Sequence, residues 1–283
     1  MTRTVYVNGE YLPEQDASIS IFDRGFLMAD AVYEVTTVLD GKLVDFDGHL
    51  RRLDRSLSEL KMTPPKNMAN LLEIHRELVK VNRVKQGGVY LQISRGPADR
   101  DFVFPSKPEP SLVIFTQEKD VIGSKAARLG IKVISVEDLR WGRRDIKTVQ
   151  LLYSSMCKTR AINSDCDDAW MVQDGYVTEG TSNNAYIVKD NIIITRELSN
   201  DILHGITRAS VLRYAEDTNF RLEERRFTVR EAQESDEAFI TSASNFVTPV
   251  IEIDGMKING GSPGPVTMKL RDIYIEESRK RAV

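Results

Sequence analysis

The chain has 283 residues, 41% of them hydrophobic and 29% charged, with a formal net charge of −3. That profile supports a sizeable buried core and excludes disordered and collagen-like classes. It leaves no broad basic field for nucleic acid or an anionic membrane, and two cysteines, Cys157 and Cys166, are too few for a disulfide framework.

The opening stretch "MTRTVYVNGEYLPEQ" lacks the apolar centre of a signal peptide. No run approaches the roughly 20 apolar residues of a membrane span. A cytoplasmic protein is expected, with neither membrane nor nucleic acid as partner. The three histidines, His49, His75 and His204, are scattered, and no zinc spacing or other metal site is read.

In chain order, "TVYVNGEYL" predicts a hairpin turning at Asn8-Gly9, and "AVYEVTTVLDGKLVDF" a second at Asp40-Gly41. "DGHLRRLDRSLSEL" places Leu50, Leu53, Leu57 and Leu60 on one helical face, with Asp47 as a candidate cap. A second amphipathic segment runs from about Asn67 to Val84. "VYLQISRG" and "SLVIFTQ" read as strands, and the proline-rich stretch between them is long enough to suggest a functional loop.

The polar stretch "EKDVIGSKAARLG" has no clear period, and a domain boundary is placed there. Beyond it come a strand, "IKVISVED", and the segment "RRDIKTVQLL", which sets Lys147 between an isoleucine and a mostly apolar run. A helix over about Leu151–Asn163 follows. Next are the hairpins "AWMVQDGYVTEG" and "NAYIVKDNIIIT", a helix beginning near Thr207 in "GITRASVLRYAEDTN", the strands "EAFITSAS" and "VTPVIEIDGMKI", and a final helix from about Pro265. Mixed elements dominated by hairpins predict two α+β domains rather than a doubly wound sheet. The expected division is 1–117, a linker over 118–128, and 129–283.

Four local features carry chemistry: Lys147, "YVTEGTSNN" around Glu179, "LHGITR" at a helix start, and "ITSAS" at a strand end. Each has an ordinary local explanation, as a surface lysine, a turn, a helix start or a strand end. Together they describe a ligand. A helix amino terminus suits a phosphate, and small hydroxylated residues let a second stretch of backbone approach the same anion. A buried glutamate can pair with a protonated ring nitrogen. A desolvated lysine can attack an aldehyde. Phosphate, ring nitrogen and aldehyde are the parts of pyridoxal 5'-phosphate.

The segments Asp23–Val35, "HLRRL", "EDLRWGRRDIK", "VTEGTSN", "LHGITR" and "TPVIEIDG", in that order and spacing, resemble the D-amino acid aminotransferases of the branched-chain aminotransferase group, the fold type IV pyridoxal phosphate enzymes. The resemblance spans nearly the whole chain. It implies two α+β domains with the cofactor at the domain interface, in a homodimer, and transamination between a D-amino acid such as D-alanine and a 2-oxo acid such as 2-oxoglutarate or pyruvate.

The resemblance also implies roles for individual residues. Lys147 is the Schiff-base lysine and proton carrier, with Arg143 or Arg144 as candidates for lowering its pKa. Glu179 faces the pyridine nitrogen. Arg52 binds the phosphate, with the backbone N–H groups of Ile206, Thr207 and Ala243 and the Thr207 hydroxyl. Leu203 packs on one ring face. Tyr33 and Arg100 line the substrate carboxylate. Where family members typically carry a histidine two residues after that arginine, this chain has Phe102, so the carboxylate site is read as relaxed. Alternatives are an (R)-selective amine transaminase, a branched-chain L-amino acid aminotransferase, an aminodeoxychorismate lyase, or a cofactor-free binding protein on the same scaffold.

Overall fold

A computed structural model describes residues 2–218 and 220–283. Met1 and Asn219, the first residue of the opening stretch and the last of the predicted helix "GITRASVLRYAEDTN", lie outside them. The chain divides into two units. The first holds residues 1–120 with Ile146–Gln150 and Arg279–Val283, and the second holds Val121–Asp145 with Leu151–Ser278.

The first unit is one antiparallel sheet covered by two helices. Its elements in chain order are β1 (Thr4–Val7), β2 (Glu10–Pro13), α1 (Arg24–Met28), β3 (Ala31–Leu39), β4 (Lys42–Leu43), α2 (Phe46–Glu59), α3 (Leu71–Val81), β5 (Gln86–Ser94) and β6 (Ser111–Glu118). The sheet order is β2-β1-β6-β5-β3-β4. Both predicted hairpins form where the sequence places them: Val7 pairs with Glu10 and Leu39 with Lys42.

Alternation along the strands divides the sheet into two faces. Val32 and Val38 of β3, Val89, Leu91 and Ile93 of β5, and Leu112 and Ile114 of β6 pack with Leu53 and Leu57 of α2 and Ile74 and Leu78 of α3. The opposite face carries Tyr33, Tyr90 and Phe115, whose rings stack in sequence at 5.5 and 4.8 Å. Asp47 does not cap α2. The helix starts two residues earlier, its N-cap is Asp45 in the left-handed region with no side-chain cap bond, and Asp47 sits in the first turn. A carboxylate there still favours the helix dipole, which is why the sequence signal at that position resembles a cap.

The second unit contains α4 (Lys125–Leu129), β7 (Ile131–Glu137), α5 (Leu152–Ile162), β8 (Asp168–Gln173), β9 (Tyr176–Gly180), β10 (Asn184–Lys189), β11 (Ile192–Thr195), α6 (Ile206–Asp217), β12 (Arg221–Glu224), α7 (Val229–Gln233), β13 (Glu237–Ser242), β14 (Phe246–Ile253), β15 (Met256–Lys257) and α8 (Pro265–Arg281), the last residues of α8 counting with the first unit. Its sheet runs β12-β11-β10-β13-β14-β7-β8-β9, with β15 on β14. The hairpins are antiparallel, while β7 pairs in parallel with both β8 and β14. The stretch expected as a linker, 118–128, holds the end of β6 and most of α4. Among the described residues, no helix is long and apolar enough to cross a membrane.

The face of α2 is the most direct test of how the first unit is held together. Leu57 is 2% exposed, whereas Leu60 is only partly buried. Leu57→Ala should cost about 2–5 kcal/mol through lost burial and a residual cavity, and Leu60→Ala distinctly less. Denaturant unfolding of the two variants side by side measures the difference.

Candidate active-site residues

The sequence-selected residues fall into two groups, one in each unit. In the first unit, β3 organises them. Residues 146–149 lie antiparallel along the edge of β3 that β4 does not reach: Tyr33 N–H donates to the Lys147 carbonyl at 3.0 Å and Val149 N–H to the Ala31 carbonyl at 3.1 Å. Ile146 enters the apolar core. Strand alternation then directs Lys147 to the other face, where its Nζ stands 4.1 Å from the centre of the Tyr33 ring. The lysine is half-buried, with its ammonium on an aromatic face that attracts cations. Arg143 and Arg144, the candidate neighbours, belong to the second unit and are engaged with Asp145 and with Asp138, Gln173 and Asp201 respectively.

Glu34 follows Tyr33 and so points to the helix-covered face. There Arg52 of α2 donates to both of its oxygens, through Nε at 2.8 Å and Nη2 at 2.7 Å, and His49 Nδ1 donates at 2.7 Å. This two-pronged pair fixes the plane of the guanidinium. An arginine has five N–H donors, and the fork to Glu34 accounts for two of them. Burial pushes the Glu34 carboxyl up, but the charge and hydrogen bonds of Arg52, with those of His49, outweigh it and hold the pKa at about 2.

Arg100 stands on the exposed loop between β5 and β6, its guanidinium 5.6 Å from the ring centre of Phe102. Phe102 is itself 79% exposed.

In the second unit, Glu179 is the penultimate residue of β9 and is buried. One oxygen accepts from Arg140 Nη1 at 2.7 Å, and the other from Asn184 Nδ2 at 3.1 Å and the Leu203 backbone N–H at 3.0 Å. Burial raises its pKa, and Arg140 and the Leu203 amide oppose that rise. Arg140 also grips Asp138 with two donors at 2.9 and 2.7 Å, and Thr178 donates to the same carboxylate.

Asn184 passes a further bond to the Leu203 carbonyl at 2.9 Å, which ties Glu179 to the chain entering α6. That helix starts at Ile206 and Thr207. Its N-cap, Gly205, is extended and no side chain caps it. A Cβ on Gly205 would meet Asn184 Oδ1 at 2.1 Å, so a larger residue there would displace the Asn184 amide. The first-turn N–H groups of a helix without a side-chain cap suit an anion. Leu203 is half-buried beside this start, Thr207 is buried, and Ala243 occupies the turn from β13 to β14.

The structure thus joins Lys147 with Tyr33, and Glu179 with Leu203 and the start of α6. Arg140, Asn184 and Glu34 were not selected from the sequence. Arg140 lies 39 residues from Glu179 in the chain, and only the fold makes them a pair. The polar turn after Glu179 has a structural use: Thr181 and Asn183 donate to the buried Asp168 at 2.5 and 2.6 Å. Those two side chains brace the turn.

With this geometry established, the chain can be compared with known proteins. The family described as amino-transferase class IV matches residues 31–253. The D-alanine aminotransferase of Staphylococcus aureus (strain N315) is 37% identical over 269 residues, covering 95% of each chain. That of Bacillus licheniformis is 37% identical over 270 residues, covering 94% of each. Among solved structures, a T.th. branched-chain amino acid aminotransferase with pyridoxamine 5'-phosphate superposes with a TM-score of 0.91 at 26% identity, covering 99% of this chain and 95% of that one. The Escherichia coli branched-chain enzyme gives 0.88 at 20% identity, over 96% and 92%, and shows the fold alone.

The Glu34–Arg52 pair predicts a specific acid response. A carboxylate whose folded pKa lies near 2, against an ordinary 4.5, stabilises the fold fully above about pH 4.5 and progressively less as pH falls toward 2. The contribution is on the order of 3 kcal/mol. Glu34→Gln should flatten that limb of the stability–pH curve in cofactor-free protein, measured by denaturant unfolding between pH 2 and 6. An unchanged acid limb would place the acid sensitivity in other carboxylates.

Proposed function

The chain belongs to the class IV aminotransferases, and on that premise we propose that it transaminates between a D-amino acid, D-alanine first among them, and a 2-oxo acid such as 2-oxoglutarate or pyruvate, using pyridoxal 5'-phosphate. The observation that carries the reading is the setting of Lys147, which is pinned by its main chain to β3 with its amine directed onto Tyr33. A surface lysine needs neither constraint.

The residues present fit the cofactor. The start of α6, capped by no side chain, suits its phosphate, with Ile206 and Thr207 as backbone donors and Ala243 as a further one. Arg52 adds a guanidinium whose plane is already set by Glu34. Glu179, buried and held by three donors, suits the ring nitrogen, and Leu203 suits one ring face. When bound, pyridoxal phosphate supplies an aldehyde for the amino group and a ring that withdraws electrons from the substrate Cα.

The chain's own residues do the rest. Lys147 Nζ holds the cofactor, then takes and returns the proton at the substrate Cα, as a positioned general base and acid. Glu179 keeps a negative charge where a protonated ring nitrogen needs one. Tyr33 orients the lysine. Arg100 pairs with the substrate carboxylate, and Phe102 beside it supplies apolar surface in place of a donor, which makes the carboxylate site a relaxed one.

The choice of a D-amino acid rests on similarity to the D-alanine aminotransferases. The branched-chain enzymes share the fold at lower identity. A homodimer is the proposed assembly. Ile21, Phe22, Phe26, Phe102 and Val103 are 51–79% exposed, and a partner subunit would cover apolar side chains of this kind. The unpaired Cys157 and Cys166 suit the reducing cytoplasm.

Two measurements check this reading. Borohydride treatment of the holoenzyme followed by peptide mapping should leave a pyridoxyl group on Lys147, and Lys147→Ala should abolish turnover. A label on another lysine would sink the assignment. In a donor panel, D-alanine should surpass L-leucine by at least about tenfold in kcat/KM, a margin of roughly 1.4 kcal/mol at the transition state. An (R)-configured arylalkyl amine should react measurably but more slowly. L-leucine as the best donor would overturn the stereochemical assignment.

A further inference from the structure

The segment Asp23–Asp30, "DRGFLMAD", has no part in the chemistry described so far. Two of its side chains are nonetheless buried: Asp23 is 1% exposed and Arg24 2%. The partners that these two side chains find outside the segment lie in or beside the Arg95–Pro110 connection between β5 and β6, the loop that carries Arg100.

Asp23 closes the base of that loop. Its Oδ2 accepts from the Ser94 hydroxyl at 2.7 Å and from the Ser111 hydroxyl at 2.7 Å. These two serines are cross-strand partners at the mouth of the β5–β6 hairpin. Its Oδ1 caps α1 by accepting from Gly25 N–H at 2.8 Å. Just inside the mouth the two arms of the loop touch. Gly96 has φ +92, and a Cβ there would lie 1.8 Å from the Glu109 carbonyl.

Farther out, Phe22 and Arg24 fix the loop's own backbone. Ala98 N–H donates to the Phe22 carbonyl at 3.1 Å, and Arg24 N–H to the Gly96 carbonyl at 3.0 Å. The Arg24 side chain reaches the Asp101 carbonyl at 2.6 Å. Asp30 accepts from Arg24 Nε and from Arg95 Nε, both at 2.8 Å. Arg95 continues to the carbonyls of Leu60 and Lys61. Two buried arginines on one carboxylate leave an excess of positive charge. Carbonyl oxygens and the Phe104 ring, 3.7 Å from the Arg95 guanidinium and 5.6 Å from that of Arg24, face it. Phe104 belongs to the loop, so this cation–π contact draws the distal arm down as well.

The geometry points to a positioning role: the Asp23-Arg24-Asp30 cluster, with Arg95 and Phe104, holds the Arg95–Pro110 loop in place and so sets where Arg100 stands before substrate arrives. This rests on the reading of Arg100 as the partner of the substrate carboxylate. The physical gain is pre-organisation. An ion pair formed by an unanchored loop loses the loop's conformational freedom at each binding event, and an anchored loop has lost it on folding. The cluster therefore acts on substrate binding and leaves the proton transfer at Lys147 untouched.

The test uses the holoenzymes of the wild type, Arg24→Gln, Phe104→Ala, Phe104→Tyr and Arg100→Ala. Amide hydrogen exchange over residues 97–106 should rise about tenfold in Arg24→Gln and Phe104→Ala, return to wild type in Phe104→Tyr, and stay unchanged over β3. KM for D-alanine should rise by about tenfold in the first two with kcat within about twofold, and the absorbance of the bound cofactor should not move. Arg100→Ala should raise KM without raising exchange. Unchanged exchange in both Arg24→Gln and Phe104→Ala overturns the anchoring role, as does a rise that extends equally through β3, since that marks a role in the whole fold. Raised exchange with KM unmoved upholds the anchor and removes Arg100 from carboxylate recognition.

Discussion

The antiparallel contact between residues 146–149 and the free edge of β3 is the constraint on which the candidate chemistry depends. An edge strand leaves N–H and C=O groups that must be paired or covered. Here the N-terminal part of β3 pairs with the segment that carries Lys147. Because side chains alternate along an extended chain, this one pairing decides three placements. Ile146 goes into the core, Lys147 to the aromatic face, and Tyr33 beneath its ammonium. A one-residue slip would bury the lysine amine among leucines and expose the isoleucine. The apolar core under α2 and α3 therefore holds Lys147 in position through its neighbour, without touching its amine.

The sequence was most legible where the signal is local. Asn8-Gly9 and Asp40-Gly41 turn as hairpins because those residues tolerate positive φ. Leu53 and Leu57 face the core because their spacing matches the helix. Lys147, Glu179 and the start of α6 stood out because their motifs combine into the requirements of one cofactor. What stayed hidden is non-local. Arg140 was inside a quoted motif, but its two carboxylates come from different strands and turns. Glu34 pairs with Arg52 only once β3 and α2 have packed. "TSNN" read as a turn because Ser and Asn suit turns, and the buried partner that Thr181 and Asn183 brace, Asp168, is invisible until β8 and β9 pair. The motif around Asp23 was visible as a pattern, but its use depends on the β5–β6 loop some 70 residues later.

Four of the enclosed carboxylates share one plan, each facing an arginine. Glu34 has Arg52, Asp30 has Arg24 and Arg95, and Asp138 and Glu179 share Arg140. Such pairs are poor sources of net stability, since desolvation consumes most of the attraction. Their common property is direction. Each arginine is planar, cannot lose its proton under working conditions, and spreads its donors in fixed directions, and those of Arg52 and Arg140 fork onto Glu34 and Asp138. Arg140 divides its fork: two donors hold Asp138, which Thr178 holds in turn, and the third reaches Glu179. Asp138 therefore anchors the guanidinium so that it cannot swing away, and Glu179 keeps its orientation even though burial pushes its pKa upward. A lysine at position 140 would match the charge without the geometry. Its single ammonium could satisfy one carboxylate fully or both poorly, and the fixed orientation of Glu179 would be the first property lost.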